Sequence, residues 1–152
     1  MKETMITWKD LCESETAVRY EIDNTPDEES ITNLEALIKY IVNPIYAQFP
    51  DAEITSGYRC KELNDKIGGV KGSQHTKGQA VDFVMVIPGR TLKQSIQMLY
   101  RFIVNMLPFD QLIIYPTFIH VSYRAINGRK QVINKAPTIY TDMPSHYLLM
   151  PC

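Results

Sequence analysis

Three residues of this sequence have the types and the setting to hold a metal ion: His75, Asp82 and His120. His75 lies in a glycine-bounded stretch, Ser73-Gln74-His75-Thr76-Lys77-Gly78-Gln79-Ala80-Val81-Asp82, and Asp82 falls in the strand that follows. On that strand Ala80, Asp82 and Val84 share one face, and Val81, Phe83 and Met85 share the other. Both faces read as mostly buried. A carboxylate there needs an ion-pair partner, hydrogen bonds or a metal, because burying it alone is very costly. Gly78 and Ala80 leave the space between His75 and Asp82 open. His120 stands at the centre of Phe118-Ile119-His120-Val121-Ser122-Tyr123 and shares a strand face with Ser122. Two imidazoles and one carboxylate suit zinc, and three protein ligands leave a fourth position free, as in catalytic sites. Such a zinc lowers the pKa of its water towards about 7 and polarises a substrate carbonyl. On residue types alone a plainer and commoner reading stands beside this one: each histidine satisfied in the core, and Asp82 paired with a Lys or Arg. His146, in the tail, is the one candidate for a fourth protein ligand.

The elements that must position these residues are legible in outline. Thr7 and Ser14 are caps for two short helices. Thr25-Pro26-Asp27-Glu28 reads as an N-cap, a proline in the first turn and a capping-box glutamate. Ile31, Leu34, Leu37, Ile38, Ile41 and Ile45 then recur at helical spacing, predicting a long helix from about Pro26 to Gln48 with a kink near Pro44. Asp51 to Ser56 is a short strand, Cys60 to Ile67 a short helix stopped by Gly68, and Gln79 to Met85 a strand. Thr91 caps a second long helix that buries Leu92, Ile96, Leu99 and Ile103. Residues 110–115 and 118–125 are β-branched and aromatic, so they read as strands. Asn127-Gly128 signals a hairpin, with Gln131-Val132-Ile133 as the returning strand. The tail from Ala136 reads as irregular. Helices and strands do not alternate as parallel βαβ units, which predicts an α+β fold, an antiparallel sheet covered by helices on one side. No repeat or linker divides the chain, so residues 1–152 read as one domain.

Composition narrows the function further. The chain has 152 residues, 45% apolar and 22% charged, with a net charge of -1. That balance gives no electrostatic footprint for nucleic acid or an anionic membrane. No apolar run approaches the roughly 18 residues of a membrane span, and the start lacks a signal-peptide pattern. The expectation is a monomer that begins in the cytoplasm and reaches an extracellular target after release or lysis. Cys12, Cys60 and Cys152 are sparse and odd in number, and they read as reduced thiols.

The stretch Ser73 to Asp82 resembles the pattern S-x-H-x-x-G-x-A-x-D of the zinc D-Ala-D-Ala carboxypeptidases and related peptidoglycan endopeptidases. That family includes VanY-type enzymes and some phage endolysins, and it shares a fold with the hedgehog signalling domain. Phe109-Asp110-Gln111-Leu112-Ile113 followed by Ile119-His120-Val121-Ser122 is similar to the family's closing strands, and Ser56-Gly57-Tyr58-Arg59 to its substrate-side arginine motif. The resemblance covers roughly residues 25–125. It implies that His75, Asp82 and His120 ligate zinc and that the substrate is a peptidoglycan stem peptide. It also implies that Arg59 orients the substrate, because a guanidinium fork binds a carboxylate or clamps a carbonyl. Without the resemblance Arg59 reads as a surface ion pair. Ser73 reads either as a substrate or ligand-supporting hydrogen bonder or as a turn cap. Tyr58 and Tyr123 read as half-buried packing residues.

The chain departs from the family at one position. A Glu or Asp three residues before the last histidine ordinarily serves as general base, and here that residue is Thr117. The nearest preceding carboxylate, Asp110, is the candidate base if its strand brings it within reach of the water. Losing a general base typically costs about 100- to 10,000-fold in rate. The leading expectation is therefore a zinc metallopeptidase, a carboxypeptidase or endopeptidase acting on cell wall peptide, with Ser73 or backbone assisting at the oxyanion. The second is a non-catalytic zinc-containing module that binds cell wall peptide or a protein partner. The third is a metal-free interaction domain.

Overall fold

The computed structural model describes residues 5–143 and, as backbone, residues 146–148. Ser14 caps α1 (Glu15–Arg19) by accepting the Ala17 N–H at 3.1 Å. The next helix, α2 (Glu28–Leu37), starts later than Thr25 suggests. Its cap is Asp27, which accepts the Ser30 N–H at 2.8 Å, while Thr25 donates its hydroxyl to Asp23 at 2.6 Å. A π-helical turn, Ile38–Val42, separates α2 from α3 (Asn43–Gln48). The Asn43 N–H donates to the Ile38 carbonyl, five residues back. Pro44 has no N–H to give, and its ring crowds the carbonyl four residues before it. The wider turn just ahead of it relieves both problems.

Five strands follow in the described core of the sheet: β1 (Ala52–Ser56), β2 (Ala80–Met85), β3 (Gln111–Ile114), β4 (Ile119–Ser122) and β5 (Gln131–Asn134). The backbone of β6 (His146–Leu148) adds to β5, giving the order β1-β2-β4-β3-β5-β6. Between β1 and β2 lies α4 (Lys61–Lys66), and between β2 and β3 lies α5 (Leu92–Met106), opened by a Thr91/Gln94 capping box. One sheet face is sealed by helices: Val81, Phe83, Leu112, Ile119 and Val121 pack with Leu34, Ile41, Ile96, Leu99 and Ile103, all at 0% exposure. The expected α+β class with helices on one side is what forms. The other face carries Asp82, Val84, Ile113 and His120 half-buried, so β2 is not mostly buried on both faces as expected.

The hairpin at Asn127-Gly128 does not return along β4. Both edges of β4 are already taken, by β2 and by β3, so β5 pairs with the free edge of β3 and runs parallel to it. The connecting loop crosses the start of β3, and the sheet is mixed. The tail is anchored in the core as well. Tyr140 is fully buried and donates its hydroxyl to the Pro116 carbonyl at 2.9 Å. No helix among the described residues is long and apolar enough to cross a membrane.

Candidate metal centre

Strand register puts the chemistry in one row across the exposed sheet face. Ser56 of β1 pairs with Asp82, Asp82 with His120, and His120 with Ile113 of β3. His75 reaches the row from a 3₁₀ turn, Gln74–Lys77, that precedes β2. Ser73 caps this turn by accepting the His75 N–H at 3.3 Å, and the Thr76 hydroxyl donates to the Ser73 carbonyl at 2.6 Å. Of the two readings of Ser73, the capping contact is therefore present. Gly78 closes the turn with φ +72°, and a Cβ there would press on the Ser30 carbonyl and Leu34 of α2. Its absent side chain thus lets the turn dock on α2. The expectation that Gly78 keeps the space between His75 and Asp82 open gives way to that contact. Gly57 is similarly confined, because a Cβ would meet the Leu11 carbonyl.

The Gly57 carbonyl accepts a hydrogen bond from His75 Nδ1 at 2.7 Å. That contact fixes the ring, and His75 Nε2 keeps its lone pair. Nε2 lies 3.2 Å from Asp82 Oδ1 and 3.2 Å from His120 Nδ1, and His120 Nδ1 lies 3.0 Å from the same Asp82 oxygen. One proton satisfies one edge of this triangle of donor atoms. A cation at its centre satisfies all three atoms. Ligand bonds of about 2.0–2.1 Å in a tetrahedral site place neighbouring donors roughly 3.3 Å apart, and the observed spacing matches that. The donor set, two imidazoles and one carboxylate, therefore fits zinc. Burial pushes the Asp82 carboxyl up, but the polar contacts with the His120 and His75 rings outweigh it and hold the group well below the usual carboxylate range. His75 is buried, while the His120 and Asp82 side chains are 13% and 16% exposed, so the triangle opens to solvent on one side.

That opening is a cavity of about 550 Å³ lined by His75, Asp82 and His120, with Arg59, Gln74, Gln111, Tyr115 and Arg129 among its walls. A second cavity, of about 510 Å³, runs past Thr55, Ser56, Tyr58, Leu63 and Ile67. The two share Arg59 and Asp82 as wall residues. Arg59 is tied to the donor triangle through its backbone N–H, which donates to the His75 carbonyl at 3.1 Å. Its Nε is buried and has no hydrogen-bond partner among the described residues, so a surface ion pair is not what holds it. Tyr115 stacks on Phe118 with ring centroids 4.4 Å apart, two residue pairs along the ladder from Ile113 and His120. Burial, aided by the charge of Asp82, pushes its phenol up, so the hydroxyl keeps its proton. Tyr58 is buried, and Tyr123 stacks on Tyr40 away from both cavities.

Asp110 and Thr117 have other surroundings than a base on a metal-bound water needs. Thr117 is exposed in the Tyr115–Phe118 turn. Asp110 is fully buried and its carboxylate is saturated. It accepts Arg129 Nε at 3.0 Å, Arg129 Nη2 at 2.8 Å, the Arg129 backbone N–H at 2.9 Å, Gln74 Nε2 at 2.9 Å and Ser122 Oγ at 3.0 Å. Burial raises this carboxyl, and those bonds, Arg129 first, hold it well below its ordinary range. The side chain of His146 and all of Cys152 lie outside the described residues. Cys12 and Cys60 are free and half-buried, and burial pushes the Cys12 thiol up to about 11.

The sequence reading missed Gln74, Tyr115 and Arg129. Tyr115 was accessible from the alternation Gln111, Ile113, Tyr115 beside His120. Arg129 was not, because it sits in a loop that looked like a hairpin turn. No curated protein and no solved structure matches the chain. Residues 4–122, most of the chain, match the family model described as Peptidase M15, and the chain belongs to that peptidase family.

Proposed function

We propose that the protein is a zinc-dependent endopeptidase acting on peptidoglycan stem peptides. The observation that carries this reading is the triangle of donor atoms at 3.0–3.2 Å, open on one side and lying where two cavities share Arg59 and Asp82. His75, Asp82 and His120 would hold the zinc, which supplies Lewis-acid polarisation of the scissile carbonyl and activation of water. A carboxypeptidase needs a blind end with a cation to take the terminal carboxylate. Here two cavities meet at Asp82 and Arg59, which line both. That arrangement favours a chain passing across the metal, with Arg59 clamping a backbone carbonyl and an internal bond at the centre. Tyr115, kept protonated, is a hydrogen-bond donor to the reacting groups. Ile113 and the Tyr115–Phe118 stack form an apolar wall beside them. Asp110 is not given the role of base, since every strong partner its oxygens can take is already a protein group.

A second reading, a zinc-containing module that binds cell wall peptide without cleaving it, is favoured by one observation. Asp82 is the only carboxylate among the described residues lining the cavity that holds all three ligands. Mass spectrometry of muropeptides incubated with zinc-loaded protein separates the two, with His120→Ala as control. Cleavage that persists when the peptide carboxyl terminus is amidated supports the endopeptidase. Release of a single terminal residue, abolished by amidation, indicates a carboxypeptidase. No cleavage by folded, zinc-loaded protein gives the binding module.

A further inference from the structure

Arg129 lies beyond residues 4–122, yet its guanidinium touches the supports of both metal histidines. Its Nε and Nη2 form a fork on Asp110, and Nη2 also donates to Gln74 Oε1 at 3.2 Å. Gln74 is the residue before His75, and it returns a hydrogen bond to Asp110 at 2.9 Å. On the other side Ser122 Oγ donates to Asp110 at 3.0 Å, and Ser122 lies two residues from His120 on the same strand face. The Asp110 backbone is stitched in as well. Its N–H donates to the Ser122 carbonyl at 2.8 Å, and its carbonyl accepts the Gln131 N–H at 2.9 Å. The His75 turn and the His120 strand are also joined through the β2–β4 ladder and through Gln79, whose N–H donates to the Gln74 carbonyl at 3.0 Å and whose carbonyl accepts the Tyr123 N–H at 2.9 Å; the Asp110 carboxylate adds a side-chain anchor that takes donors from both segments.

We infer that Arg129, acting through Asp110 and Gln74, is a positioning residue that holds His75 and His120 at metal-binding distance. The inference rests on the zinc reading of the triangle. Its physical basis is that a planar fork fixes direction as well as distance, and a buried carboxylate with five donors has one orientation. Without the fork, Gln74 and Ser122 lose a fixed acceptor, and the backbone ladder between β2 and β4 holds the two segments together without fixing the spacing of the two rings. The loop between β4 and β5 thus completes a site whose ligands all lie upstream of it.

Competition with a chromogenic chelator reads zinc affinity, and near-ultraviolet circular dichroism reads folding, in the full chain. Arg129→Gln is expected to weaken zinc binding about 10- to 100-fold, the usual effect of losing a group that orients ligands. Arg129→Lys keeps the charge without the fork and is expected to recover part of that loss. Because Arg129→Gln leaves a buried carboxylate unpaired, the double variant Asp110→Asn with Arg129→Gln is the safer test. It buries no lone charge and should fold, and it should still bind zinc about as weakly as Arg129→Gln. Zinc affinity equal to wild type in the folded double variant would overturn the inference. A wild type that binds no zinc would instead remove the metal reading on which it depends.

Discussion

Two carboxylates on one side of the sheet have opposite company. Asp82 faces two imidazole rings and is held by no guanidinium fork, at the mouth of a cavity it shares with Arg59. Asp110 is sealed, gripped by a guanidinium fork and three further donors. Both are held below the ordinary carboxylate range, by different means. The contrast shows how one element set makes both an open and a sealed carboxylate. A buried carboxylate that already has its cation is finished, whereas one surrounded by lone pairs still has room for a cation.

The largest expected difference is in metal content. His120→Ala should drop zinc from about one per chain to near none by elemental analysis, while Asp110→Asn should retain zinc with reduced affinity. Stability should sort the other way. Asp110→Asn in metal-free protein is expected to cost about 2–3 kcal/mol in urea unfolding, below the cost for a fully buried pair because Arg129 is half-exposed. Asp82→Asn should cost clearly less, and equal costs would erase the distinction between the two sites. Acid unfolding sharpens the same point. Asp110 is depressed in the folded state, so its contribution is complete above its ordinary pKa of about 3.9 and is lost as pH falls below that value. Wild type should therefore lose more stability than Asp110→Asn between about pH 5 and pH 2. Arg59→Gln should raise KM about tenfold with a smaller change in kcat, consistent with a charged hydrogen bond to substrate. The smallest effect belongs to Ser73→Ala, about 1 kcal/mol of stability from the lost cap on the His75 turn.

How much of this was legible in the sequence divides along the same line. The grouping of His75, Asp82 and His120 could be anticipated, because the resemblance pointed to these three residues, and the structure brings their donor atoms within 3.0–3.2 Å of one another. The helices around Leu34 and Ile96 could be read from their periodicity. The partner of Asp110 could not, since Arg129 is 19 residues downstream and reaches it only because β5 joins the far edge of β3. That placement follows from both edges of β4 being occupied, a tertiary fact that the local Asn127-Gly128 signal does not contain. The helix break before Pro44 was expected near the right place, but its form as a π turn depends on how α2 and α3 both bury their stripes.

The most direct test of the central claim is zinc titration of the metal-free protein followed by nitrogen-15 NMR of the histidine rings. The account predicts saturation at one zinc per chain, with His75 bound through Nε2 while its Nδ1–H remains on the Gly57 carbonyl, and His120 bound through Nδ1. Ring resonances of His75 and His120 that do not move with zinc would contradict it.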